Sequence, residues 1–153
     1  MYVSRSASDA GVVLTLTSHT LTSNAFNAKI SDDGETLYFG DESFSTVFAV
    51  TRVGSGVFDG SHIVASAIQA PIALSDDELT MYNSDTTGIA SVQAATRVDR
   101  TATFGPGSLI PNVSSSGWDT PVALTADGCV LSIASNRAGR LGGYDIWEAH
   151  RPR

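Results

Sequence analysis

The chain has 153 residues, a net charge of −7, and a single lysine, Lys29, beside eight scattered arginines. Neutralising phosphate needs clustered Lys and Arg, so this balance argues against nucleic acid, and no apolar run reaches the ~18 residues of a membrane span. A charged fraction of 16%, with Ser, Thr, Gly and β-branched residues making up the difference, is the composition of an all-β protein rich in turns.

In chain order, Met1-Tyr2-Val3-Ser4-Arg5 lacks the charged start and apolar stretch of a signal peptide. Residues 11–18 and 21–24 are predicted as two short strands. A more regular pattern then begins. The apolar stretch Ala28-Lys29-Ile30 leads into Ser31-Asp32-Asp33-Gly34, a tight turn in which Gly34 supplies positive φ and Asp33 bonds its own backbone. Strands are predicted at Thr36–Gly40 and Thr46–Arg52, and a weaker one at His62–Ala65 after Phe58. The pattern returns with Ile72-Ala73-Leu74, the turn Ser75-Asp76-Asp77-Glu78, and strands at Thr80–Asn83, Ile89–Arg97 and, after Phe104, Ser108–Ile110. Its last copy is Val122-Ala123-Leu124, the turn Thr125-Ala126-Asp127-Gly128, and strands at Val130–Ala134 and Tyr144–Arg151. Glu78 replaces glycine in the middle copy, which predicts a turn that is strained or of another type. Pro71 and Pro121 precede the apolar stretches, where proline can begin a strand without losing a ladder bond.

The turns lie 44 and 50 residues apart. Self-similarity at about 40–50 residues is the mark of a repeat architecture, and four short antiparallel strands per period describe one blade of a β-propeller. The predicted fold is therefore all-β, a partial propeller of three to four antiparallel four-stranded blades. The boundaries are 1–25 (incomplete), 26–68, 69–116 and 117–153 (incomplete), forming a single domain. No stretch carries sustained helical periodicity.

These residues resemble the WD-like repeat of TolB-type β-propellers, a six-bladed class of bacterial periplasmic and secreted proteins. Ser31-Asp32-Asp33-Gly34-Glu35-Thr36-Leu37-Tyr38-Phe39 is similar to the family's first hairpin. The stretch from Ser135-Asn136-Arg137 through Gly142-Gly143 to Tyr144-Asp145-Ile146-Trp147 is similar to its second loop and third strand. Residues 83–91 lack the Arg and Gly-Gly of that loop, and Tyr144-Asp145 has no counterpart in the other copies. The resemblance implies a periplasmic or extracellular setting and a non-catalytic binding or scaffold module, whose loops at one mouth of a ring contact a protein or polysaccharide. Alternatives are a propeller-type hydrolase or lyase and a fragment of a larger propeller. A six-bladed ring at this period needs about 270 residues. Two copies placed head to tail could also complete a ring, because heterologous contacts close if the rotation fits.

The candidate binding residues are Asn136, Arg137, Arg140, Asp41, Glu42 and Asp85, all in loops between a second and a third strand. Arg137 and Arg140 could grip a carboxylate by paired hydrogen bonds; equally, Arg137 could bridge to a neighbouring blade. No cofactor is expected and no metal. The pairs Asp32-Asp33 and Asp76-Asp77 repeat with the period, which predicts turn capping; Asp41-Glu42 is a third acidic pair, and no Asp-x-Asp-x-Asp-Gly calcium loop is present. His19, His62 and His150 fall at unrelated positions in the repeat, without a Gly-x-Ser-x-Gly elbow, and no catalytic residue is assigned. Trp118, Trp147, Phe58 and Phe104 are expected in the core, Phe58 and Phe104 as inter-blade packing. Cys129, the lone cysteine, is expected as a small buried residue.

Overall fold

The computed structural model describes residues 15–16, 26–41, 45–54, 57–66, 69–85 and 89–151. All its regular elements there are strands: β1 (Thr15–Leu16), β2 (Phe26–Ile30), β3 (Thr36–Gly40), β4 (Thr46–Arg52), β5 (Val57–Ser66), β6 (Gln69–Leu74), β7 (Thr80–Ser84), β8 (Val92–Thr96), β9 (Ser108–Leu109), β10 (Asp119–Leu124), β11 (Val130–Ser135) and β12 (Asp145–His150). They form three antiparallel sheets in chain order: β2-β3-β4-β5, then β6-β7-β8-β9, then β10-β11-β12. Thr15–Leu16 adds to the outer side of β5 in parallel, opposite Val57 and Phe58. That pairing attaches it to the first sheet, within the predicted strand 11–18; the rest of residues 1–25 lies outside the described residues.

One local device sets every first hairpin. Ser31, Ser75 and Thr125 each donate a hydroxyl to the aspartate two residues on, at 2.6, 2.5 and 2.6 Å. The same hydroxyls accept the backbone N–H five residues on, from Thr36, Thr80 and Val130. Asp33, Asp77 and Asp127 each accept a further backbone N–H at 2.9–3.0 Å. The carboxylates of the repeated pairs thus close the turns. Gly34 and Gly128 take φ +74 and +66, and Glu78 takes φ +60 in the equivalent place. The middle turn is therefore the same turn, held under strain, and not another type.

Pro71 and Pro121 lie inside β6 and β10, not ahead of them. Both strands are sheet edges, and each carries a register irregularity, between Gln69 and Ala73 and between Pro121 and Ala123. A missing N–H is tolerated at such an edge or bulge.

Side-chain alternation sends successive residues to opposite faces and stacks the sheets. Tyr38, Val47 and Ala49 of the first sheet pack with Ile72, Leu74, Met81 and Ala95 of the second, and Phe104 joins them. Ala73 and Val92 of the second pack with Leu131 and Ile133 of the third. Burying a Val or Leu fully contributes about 1.5–3 kcal/mol, so these two seams hold the array. The other face of the first sheet is covered too: Leu37, Phe39, Val50 and Phe58 are all buried. Strands β2, β6 and β10 lie nearest one another across the sheets. The chain is all-β, an open run of propeller blades with no helix among the described residues. None there could cross a membrane as a long apolar helix.

Candidate functional site

The antiparallel order puts the loops that follow β3, β7 and β11 at one end of the three sheets. Asp41 opens the first loop, its N–H donating to the Thr46 carbonyl, and Asp85 opens the second, its N–H donating to the Ser91 carbonyl. Asn136, Arg137 and Arg140 occupy the third. Glu42 lies outside the described residues, as does His19.

The third loop is fixed at its root. The Arg137 guanidinium donates from Nη2 to Asp119 Oδ1 at 2.8 Å and to the Val113 carbonyl at 2.9 Å, and from Nε to Ser135 Oγ at 3.0 Å. It lies 5.3 Å from the centre of the Trp147 ring. Asp119 is wholly buried at the head of β10, and it also accepts the Ser135 hydroxyl and the Ser115 N–H. Burial pushes its carboxyl up, but hydrogen bonds from Ser135, Ser115 and Arg137 bring the net shift below the ordinary value. Arg137 thereby ties the third sheet to the segment arriving from the second. Asn136 Oδ1 accepts the Trp118 N–H at 2.7 Å, and Arg140 Nη1 donates back to the Asn136 carbonyl at 2.5 Å. Beyond this root the loop is bare: Leu141 is 100% exposed and Tyr144 57%.

A second polar cluster lies at the opposite end, between the first two sheets, and the sequence did not single it out. Arg97, buried, donates from Nη2 to the Tyr38 hydroxyl at 2.8 Å and from Nε to the Glu78 carbonyl at 2.8 Å. Tyr38 donates to the Glu78 carboxylate, and Arg100 sits 2.8 Å from Asp33 and 3.3 Å from Glu78. Burial, then the bond to Glu78, push the Tyr38 hydroxyl up to about 12. Arg97 also stacks on Phe104 at 4.5 Å, as Arg52 does on Phe58 at 5.5 Å. Arg52 repeats the backbone contact as well, donating to the Gly34 carbonyl at 2.9 Å. The similar spacing of Arg52 with Phe58 and Arg97 with Phe104, six and seven residues, was the one signal that could have located this cluster. Beside it Asp32 and Asp76 face one cleft, and burial, then Asp32, raise the Asp76 carboxyl.

Three core expectations need correction. Trp118 is 43% exposed. It extends the ladder one step beyond buried Asp119, so alternation turns it to the open face of the third sheet. Trp147 is half-buried under Arg137. Cys129 is half-buried at the turn before β11, its thiol raised first by its bond to Asp127. The other two histidines lie apart on the surface: His62 Nδ1 contacts the Gly60 carbonyl at 3.1 Å, and His150 lies 3.2 Å from Glu148. No cluster of three potential metal ligands occurs among the described residues.

No protein-family model matches the sequence, and no curated protein matches it. Among solved structures the chain is similar to TolB from Acinetobacter baumannii, with a TM-score of 0.60 and 13% identity, over 84% of this chain and 30% of that one. At that identity the likeness is one of fold. The chain spans less than a third of the TolB chain, and it shares with it the propeller architecture.

Proposed function

We propose that the chain is a non-catalytic binding module of TolB-like propeller type, presenting its second-to-third-strand loops to a protein partner. The observation that carries this reading is the loop 136–144, rigid at its root and bare beyond it. Arg137 spends its guanidinium on Asp119, Ser135 and Val113, which fixes the backbone before any partner arrives. A preorganised loop loses little conformational freedom on binding. The exposed residues are Arg140, Leu141 and Tyr144, and Tyr and Arg are enriched among residues that dominate binding energy. Asp41 and Asp85 would flank the same mouth from the neighbouring loops.

Selection of a displayed peptide library on the immobilised full chain tests this. Selected peptides are expected to carry an acidic residue beside apolar ones. Arg140→Glu and Leu141→Ser should each weaken them at least about tenfold, with circular dichroism unchanged. Peptides that bind both variants as tightly as the parent would overturn the reading. Retention by soluble polygalacturonate in affinity electrophoresis, with no peptide selected, would replace the protein partner with an acidic polysaccharide.

A further inference from the structure

The chain contains three Asp-Gly steps, Asp33-Gly34, Asp59-Gly60 and Asp127-Gly128. Glycine has no side chain to shield its amide nitrogen, so at such a step that nitrogen can attack the preceding carboxyl. The fold treats the three steps differently. At the first and third, the glycine N–H donates to the Ser31 and Thr125 carbonyls, at 2.9 and 2.8 Å. Their carboxylates are engaged elsewhere, accepting a Ser or Thr hydroxyl and the N–H of Glu35 or Cys129. At the second, the Gly60 N–H donates to the carboxylate of its own neighbour, Asp59 Oδ1, at 2.7 Å.

The cause is a bulge in the first sheet. Ala49 pairs with His62 and Thr51 with Asp59, so Gly60 and Ser61 together oppose the single residue Val50. Gly60 takes φ +74 there. Asp59 and Gly60 are both exposed, and a Cβ at Gly60 would meet no atom within 4 Å, which leaves room for a ring.

We infer that Asp59-Gly60 is a site of spontaneous covalent modification, converting with age to isoaspartate while the other two Asp-Gly steps are protected. The Gly60 nitrogen bonds to Asp59 Cγ, one Cγ–oxygen bond breaks, and that oxygen leaves as water with the amide and carboxyl protons. Water then opens the five-membered imide. Opening at Cγ restores aspartate, whereas opening at the Asp59 backbone carbonyl routes the chain through Cβ. The net change is an isomerisation that needs no reagent but water. It inserts a methylene into β5 opposite Thr51, beside buried Phe58, which Arg52 covers at 5.5 Å. Loss of water requires a protonated carboxyl, and Asp33 is held down at about 2, with Asp127 lowered as well. The site belongs to the first sheet and stands apart from the binding reading above.

Storage of the full chain at mildly acidic pH, then labelling by an isoaspartyl methyltransferase and peptide mapping, tests this. Label is expected at residue 59 at least about tenfold faster than at residue 33 or 127. In urea, where the hydrogen bonds are gone, the three steps should react at similar rates. Asp59→Glu would have to close a larger ring, and should lose the label with circular dichroism unchanged. Asp59→Asn reaches the same imide by expelling ammonia, and should gain label faster even if the glutamate variant misfolds. Equal labelling of the three steps in the folded chain, or a residue 59 that stays unlabelled until urea is added, would overturn the inference.

Discussion

Glu78 accepts the Tyr38 hydroxyl across the seam between the first two sheets, from a turn position that is glycine in the other two hairpins. A left-handed residue other than glycine costs roughly 1–2 kcal/mol, and the buried carboxylate offsets that by pairing with buried Arg97 at 3.7 Å and accepting the Tyr38 hydroxyl. The three turns are alike in backbone, but this one also fastens two sheets.

Removing that carboxylate is expected to weaken the fold in a graded way. Glu78→Ala keeps the backbone strain and strips a buried arginine of its anion, a loss of about 3–5 kcal/mol. Glu78→Gly loses the same anion but relaxes the turn, so it should be the milder change by about 1 kcal/mol. Urea denaturation midpoints in the order parent, glycine, alanine are the expected result; the reverse order of the two variants would contradict the account.

Tyr38→Phe should cost about 1–3 kcal/mol, because it leaves a buried Arg97 donor and a Glu78 oxygen without a partner. Combined with Glu78→Gln, the two changes should couple by at least 0.5 kcal/mol, about the lower limit for residues in one network. Simple additivity in a double-mutant cycle would show that the contact carries no stability.

Acid should loosen the hairpins before the seams. Bonds from Ser31, Glu35 and Arg100 hold the Asp33 carboxyl down at about 2, and Asp77 and Asp127 are lowered first by Ser75 and Thr125. A depressed carboxyl stabilises the fold above its unfolded value near 3.9, and that contribution fades as pH falls toward about 2. Asp76 runs the other way: its raised carboxyl favours the fold at low pH and ceases to as it ionises. Asp33→Asn is therefore expected to flatten the acid limb of a thermal-melt profile between about pH 4 and 2, and Asp76→Asn to remove an opposing slope that lies at and above about pH 4. Unchanged acid limbs in both would refute the assignment.

Arg137→Lys keeps the charge but loses the fork that reaches Asp119, Ser135 and the Val113 carbonyl together. A loss of about 1–3 kcal/mol is expected. The Trp147 ring also loses its cationic cover, so tryptophan emission should shift to the red before global unfolding. A variant with parental emission and midpoint would mean that the bridge is dispensable.

The hairpins were legible because their cause is local. A Ser or Thr, an Asp two residues on and a Gly after it contain every atom needed to close the turn. The strands after them followed, with Thr36–Gly40 and Thr46–Arg52 found at the expected residues. The Tyr38–Glu78 contact was not legible, because its partners are separated by 40 residues and lie in different sheets. Asp119 escaped for a related reason: it lies outside the repeated stretch, and only the folded chain brings Ser135 and Arg137 to it. Trp118 was misplaced because aromatic content suggests burial, whereas no following sheet covers the face it occupies among the described residues.

The prolines in β6 and β10 have a consequence for chains caught partly assembled. Each removes a donor from the strand nearest the middle of the array, so that border cannot serve as a template along which a stray polypeptide zips itself on. Of the three inner edges only β2 lacks such a proline, so a stray strand would find β2 and the outer strands β9 and β12 easier to join than β6 or β10, and an inhibitor of clumping would be aimed there.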